Sequence, residues 1–259
     1  MKIATWNVNS IKVRLEHLRD FLGQENPDIV LLQEIKCETN KFPYDELSDF
    51  NYNLYVHGQK SGNGVAILSK FPADEITYDF LGNECPSESR FIEISVQTPL
   101  GFCRIISVYV PNGGEVNSDK FIKKLKFFNN LTEYLKSKKK LDEMLFIGGD
   151  FNVAPFDIDV YSPRALEGTT CFTIEERQKL RTIINCGFYD LYRLAHPTKQ
   201  EFSWWDYRSG ALQQNKGMRI DSILTTGNVV SHLKDCFMLY SMRTLTRPSD
   251  HIPVIAILK

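Results

Sequence analysis

The chain has 259 residues, 42% hydrophobic and 24% charged, with a formal net charge of -1. That length supports one hydrophobic core built from two sheets, and the composition excludes a disordered or fibrous protein. The near-zero charge excludes binding to nucleic acid by bulk positive charge alone, though not through a local basic surface.

No apolar run approaches the roughly 20 residues that span a bilayer, so no membrane association is expected. The opening MKIATWNVN turns polar too soon for a secretory signal. Cys37, Cys85, Cys103, Cys171, Cys186 and Cys236 are scattered without a C-x-x-C pair. This argues against zinc and for reduced thiols in a cytoplasm. With no linker and no internal repeat, a single domain over residues 1–259 is expected.

Ile3–Trp6 reads as the first strand, and Ile11, Leu15, Leu18 and Leu22 keep the spacing of a helix. Strands follow at Ile29–Leu32 and Gly64–Leu68. Phe91–Val96 and Phe102–Val110 flank the turn signal QTPLG and predict an antiparallel hairpin. Phe121, Leu125, Phe128, Leu131 and Leu135 predict a long helix with one buried stripe. Its lysines, in KFIKKLK and KSKKK, read as a solvated face. Met144–Ile147 is a further strand. Thr173 and Glu176 have the spacing of a capping box that opens a helix through Leu180, Ile183 and Ile184. Arg219–Leu224 and Ile252–Leu258 close the series. Strands outnumber helices, which suggests two sheets packed face to face with helices outside.

The apolar segments share a second feature. IATWN ends at Asn7 and DIVLLQE at Glu34. RIISVYVPN carries Tyr109 and Asn112, and MLFIGGDFN ends in Asp150 and Asn152. GMRIDSIL contains Asp221, and PSDHIPVIAIL places Asp250 and His251 before the last strand. Any one of these has a plain reading as a polar residue where a strand meets water. Asp150 and Asn152 could equally form an Asx turn. Taken together they suit phosphoester hydrolysis, which needs a Lewis acid, a group that activates water, and donors for a developing oxyanion. Glu34, Asp150 and Asp250 are hard oxygen ligands of the kind magnesium prefers. Asp221 beside His251 would hold the ring and favour its charged form. Gly148 and Gly149 would let the backbone approach or bend without side-chain interference. In an extended segment residues two apart share a side, so Asp150 and Asn152 are expected to face one phosphate while Phe151 turns to the core.

The segments WNVNSIK, LLQEIK, GNGVAILSK, VYVPNG, GGDFNVAPFDIDVYSP, FSWWDYR, GMRIDSIL and SDHIPV occur in that order from near residue 3 to residue 254. Together they resemble the exonuclease III family of abasic-site endonucleases, within the magnesium-dependent endonuclease/exonuclease/phosphatase superfamily. The resemblance implies a four-layered α/β sandwich like that of deoxyribonuclease I: two packed mixed sheets flanked by helices. It also implies cleavage 5′ to abasic sites in double-stranded DNA, 3′-to-5′ exonuclease action and removal of 3′-blocking groups. The expected cofactor is Mg2+, with Mn2+ as substitute, and the expected state is a monomer.

By the same resemblance Glu34 is the principal metal ligand, assisted by Asn7, and Asp250 is a ligand at a second position. Asp150, Asn152 and His251 also stand among the metal ligands. Asp150 activates water, Asn152 binds the nucleophile or transition state, Tyr109 lies beside the scissile phosphate, and Asp221 with His251 contacts that phosphate. Trp204, Met218 and Ile220 would form the apolar pocket for an abasic sugar, with Asn112 and Arg90 as phosphate-side contacts. Phe156 departs from the polar residues common at its place in the family. Two other readings share parts of this pattern. One is a superfamily phosphatase of inositol phosphates or sphingolipids, against which FSWWDYR and GMRIDSIL argue. The other is a DNA-binding protein that has lost catalysis, against which the competent residue at every catalytic position argues.

Overall fold

The computed structural model describes all residues, 1–259. Its strands, in chain order, are β1 (Lys2–Asn7), β2 (Ile29–Gln33), β3 (Asn53–His57), β4 (Val65–Ser69), β5 (Ala73–Thr77), β6 (Phe91–Thr98) and β7 (Gly101–Tyr109), then β8 (Met144–Asp150), β9 (Phe188–Asp190), β10 (Trp204–Trp205), β11 (Gly217–Met218), β12 (Asp221–Thr226), β13 (Leu233–Met238) and β14 (Val254–Leu258). The helices are α1 (Leu15–Glu25), α2 (Asp119–Lys139), α3 (Pro163–Leu166), α4 (Ile174–Asn185), α5 (Leu191–Ala195) and α6 (Gly227–Val230).

Two six-stranded sheets result, in the orders β13-β14-β1-β2-β4-β3 and β5-β6-β7-β8-β12-β9, with a small β10-β11 ribbon. Both sheets are mixed, because β1 and β2 run parallel in one, and β7 and β8 in the other. Central strands are covered on both faces, which is why they read as unbroken apolar runs. In β1, Ile3 points between the sheets while Ala4 and Trp6 point outward toward α1. In β8, Phe146 points between the sheets while Leu145 and Ile147 point toward α2 and α4. The arrangement is helix, sheet, sheet, helix, as expected of the four-layered sandwich.

The register sets the site. Asn7 pairs with Gln33, so Glu34 lies one residue beyond the same edge. Tyr109 pairs with Asp150, and Asp150 with Asp221, in one row across the second sheet. Thr5 pairs with Val254, so Asp250 and His251 enter β14 beside the end of β1. Gln33 Nε2 donates to Thr5 Oγ1 and, across the sheets, to Ser107 Oγ at 3.0 Å, locking the two rows together. Glycine is needed here for closeness. A Cβ on Gly148 would lie 2.5 Å from Leu31 Cδ1 of the facing sheet, and one on Gly149 would lie 1.8 Å from Val108 O.

Several expectations shift. α1 starts at Leu15, and Ile11 instead donates its N–H to Ile35 O, because Asn9 and Ser10 turn left-handed beyond β1. The strand expected from Arg219 starts at Asp221, since the Arg219 N–H is taken by Asp159 O. β3, β5, β9 and β13 are the four sheet edges, and their polar faces gave no apolar run to read. The lysines of α2 are not all solvated: Lys124 is fully buried. The capping box stands, with Thr173 Oγ1 accepting from Glu176 N and Glu176 reaching back to Thr173 N.

Candidate active site

A cleft of about 530 Å³ opens where the strand ends meet, lined among others by Glu34, Tyr109, Asn112, Asp150, Asn152, Trp204, Met218, Ile220, Asp250 and His251. Asp221 lies beneath it, fully buried, with Oδ2 accepting from His251 Nδ1 at 2.8 Å and Ser203 Oγ at 2.6 Å. The other ring nitrogen, His251 Nε2, faces Asp150 Oδ2 at 3.7 Å. Burial opposes charge on this ring, but Asp221 and Asp150 outweigh it and raise His251 to about 10. The site therefore holds an imidazolium at neutral pH.

Asp150 shows the opposite balance. Burial, against the pull of His251 and with repulsion from Asp221 and Glu34, lifts it to about 7. Glu34 is penalised by burial, yet hydrogen bonds from Asn7 and Lys36 hold its carboxyl below the usual range. The Tyr109 phenol is pushed well above its ordinary value by burial and by the Glu34 and Asp150 charges, so it keeps its proton and serves as a neutral hydrogen-bond donor.

The Asp150–Asn152 step is built differently from the alternation argument. Asn152 has φ 51, so the strand has ended. Its N–H donates to Asp150 Oδ1 at 2.8 Å, an Asx turn, and this turn brings the amide round to the cleft. The turn and the site are thus one structure. Asn152 Nδ2 donates to Val110 O and Oδ1 accepts from Asn112 Nδ2 at 3.0 Å, while Phe151 is buried in the core as expected.

Glu34, Asp150 and His251 each offer one ligand atom, all within 4.8 Å of one another. The hard oxygen donors of Glu34 and Asp150 fit a divalent ion such as magnesium, with His251 as the third group within reach. Asn7 donates from Nδ2 to Glu34 Oε1 at 2.8 Å and to Asp150 Oδ2 at 3.0 Å, so it orients both carboxylates, while its Oδ1 accepts from Asn9 N at 3.0 Å. Asp250 lies outside that trio. Its oxygens accept from Trp204 Nε1 at 3.0 Å and Asn9 Nδ2 at 2.9 Å.

Trp204 pairs with Met218 across the ribbon and packs with Ile220 in an apolar wall of the cleft, whereas Trp205 is core. Arg90 is not brought to the cleft. It stacks behind the Tyr109 ring at 4.7 Å and pairs with Glu88. Sequence reading did not single out Ser203, which clamps Asp221, nor Asn9 and Lys36, which bond to Asp250 and Glu34. Asp206 and Arg208, paired at 3.0 Å on the lip, were likewise unassigned. Their short motifs were visible, but no local signal says which way these side chains turn.

Comparison with known proteins agrees with this geometry. Residues 4–251 match the Endonuclease/Exonuclease/phosphatase family. Exodeoxyribonuclease III of Haemophilus influenzae is 32% identical, covering 99% of both chains. The Neisseria 3′ phosphatase NExo, solved with a product DNA hairpin, is 36% identical with a TM-score of 0.96, covering 100% of this chain and 99% of that one. An AP endonuclease from Archaeoglobus fulgidus is 35% identical with a TM-score of 0.94, over 100% and 99%. The chain therefore belongs to the endonuclease/exonuclease/phosphatase family, among its exodeoxyribonuclease III and AP endonuclease members, and is a hydrolytic nuclease.

Proposed function

We propose that the protein is a DNA repair nuclease that hydrolyses the phosphodiester 5′ to abasic sites in double-stranded DNA. At 3′ ends it would act as a 3′-to-5′ exonuclease and 3′-phosphatase or phosphodiesterase. The observation that carries this reading is the meeting of Asp150, His251–Asp221, Asn152 and Tyr109 in one cleft beside the Trp204–Met218–Ile220 wall. A magnesium ion, or manganese in its place, held by Glu34 and Asp150 would neutralise phosphate charge as a Lewis acid.

The chain's own residues do the rest. Asp150, whose buried carboxyl is raised by desolvation and by the Asp221 and Glu34 charges, would orient the attacking water and take its proton. The His251 imidazolium, kept charged by Asp221, donates to the phosphoryl oxygens as negative charge develops. The Tyr109 phenol is a further hydrogen-bond donor on the same cleft, and the Asn152 amide, which donates to Val110 O and to Asp150 Oδ2 at 3.3 Å, would help hold Asp150 and the nucleophile. The wall of Trp204, Met218 and Ile220 gives an apolar seat to a sugar that has lost its base, where unstacking costs least.

The relatives named above act on DNA by their names, which supports the substrate class. The six unpaired cysteines suit a reducing compartment and support a cytoplasmic location, and no helix is long and apolar enough to cross a membrane. A monomer is proposed, as the family resemblance implies. The test is cleavage of a duplex with one abasic analogue, and of 3′-recessed and 3′-phosphate duplexes, with magnesium or with chelator. Magnesium-dependent incision of the abasic duplex is expected; no product from any of the three would overturn the reading.

A further inference from the structure

Lys124 is a fully buried lysine on the inner face of α2, in a run whose other lysines are exposed or half-buried. Its ammonium has three partners. It donates to Asn112 O at 3.0 Å, to Asn152 O at 2.7 Å, and to the carboxylate of Glu176. Glu176 in turn accepts from Cys171 N at 3.1 Å and closes the capping box of α4 through Thr173. One buried ion pair therefore joins α2, α4 and the loops that follow β7 and β8. Both residues whose carbonyls it holds send their side chains into the cleft, where Asn112 Nδ2 donates to Asn152 Oδ1 at 3.0 Å.

The neighbourhood is shaped around this lysine. Gly113 has φ 93, and a Cβ there would lie 2.9 Å from Lys124 Cδ. Asn152 sits at φ 51, a conformation that needs support from its surroundings, and the lysine grips its carbonyl on one side while Asp150 grips its N–H on the other. A lysine is rarely buried without a task, since burial costs its charge several hydration partners that must be replaced. Here two of the three donors are spent on the main chain of the amide pair.

We propose that Lys124 is a positioning residue for the reaction: charge-matched by Glu176, it fixes the Asn112–Asn152 amide pair against the scissile phosphate. The proposal rests on the nuclease reading given above. Removing Lys124 alone would strand the Glu176 charge in the core, where an uncompensated buried charge is strongly destabilising. The test therefore uses Lys124→Met combined with Glu176→Gln, which removes both charges and keeps one carboxamide oxygen for the Thr173 N–H of the capping box, giving up the Cys171 N–H that the other carboxylate oxygen accepted.

The double variant is expected to fold, with kcat on the abasic duplex lowered at least tenfold and KM within about threefold of wild type, a split expected when orientation is lost at the reacting centre. A folded double variant with wild-type kcat overturns the proposal. Solvent exchange of the Asn152 Nδ2 protons, followed by NMR, reads the same effect without activity and should accelerate at least tenfold. If the wild-type protein cuts no DNA, the nuclease reading fails and the role in the reaction fails with it, while an accelerated exchange would still show that Lys124 orders the amide pair. Should the variant not fold, the wild-type Lys124 ammonium decides: slowly exchanging protons on its Nζ are expected, and exchange as fast as that of a surface lysine overturns the proposal.

Discussion

Replacing Asp150 by Asn should abolish turnover and, in the presence of chelator, make the protein more stable. The carboxyl is almost fully buried, and its value of about 7 in the fold compares with 3.8 when free. A gap of about three units at 1.36 kcal/mol each sets an upper limit of roughly 4 kcal/mol on what ionising Asp150 costs the fold above pH 7. Asn keeps the oxygen that accepts the Asn152 N–H, but it sets an amide where Asn7 Nδ2 now donates at 3.0 Å. Leaving that buried donor unpaired takes back roughly 1–2 kcal/mol. The net gain is roughly 2–3 kcal/mol, or about 4–12 °C in melting temperature for a domain of this size.

The pH dependence gives the sign. Below pH 3.8 both states hold the proton and the two proteins should melt alike. As pH rises, the unfolded chain ionises first and wild-type stability falls, until the folded Asp150 also ionises near 7. The difference should therefore grow between about pH 4 and 7 and then level off. Thermal scans of both proteins in chelator across pH 4–9 measure it directly. An Asn variant that melts at or below wild type above pH 7 refutes the electrostatic reasoning. Added magnesium should narrow or reverse the gap, because only the wild type keeps both carboxylates for the cation.

Three further outcomes are expected. Asp221→Asn should bring the His251 midpoint down from about 10, read by NMR in chelator. Because the folded value is raised, the pair stabilises the protein fully below about pH 6.5 and loses that contribution toward pH 10; an unchanged midpoint in the variant would sink the pairing argument. Gly149→Ala should cost more than Gly148→Ala in urea unfolding. The new methyl meets the Val108 backbone at 1.8 Å in the first case and a movable Leu31 side chain at 2.5 Å in the second, and overpacking of the second kind costs roughly 1–3 kcal/mol. Trp205→Ala should lose about 3–5 kcal/mol of stability. Trp204→Ala should lose less but raise KM for abasic duplex roughly tenfold; equal stability losses would show both rings to be core.

How much of this was legible beforehand depends on where each residue sits. Central strands are buried on both faces, so Ile29–Gln33 and Met144–Asp150 announce themselves as apolar runs. The edges β3, β5, β9 and β13 do not, because water on one side permits residues such as Asp74, Glu75 and Lys234. Arg90 carried a basic charge near a site strand and was expected to meet phosphate. Its direction was decided by Glu88 and the Tyr109 ring instead. Lys124 read as one lysine among many because its partner, Glu176, is 52 residues away.

What the sequence determined by itself is the alphabet of the site: which strands end, and which carboxylates, amides and imidazole stand at those ends. Local patterning suffices for that, since apolar runs and polar punctuation are properties of neighbouring residues. Only the tertiary structure decided how these groups act. Two parallel pairs, β1–β2 and β7–β8, bring distant strand ends to one edge, and the glycines let the sheets close there. Closure buries Asp150 beside Asp221 and Glu34 and gives His251 its charge. Desolvation and ångström-scale distances between residues far apart in the chain set those values, and no local pattern encodes either.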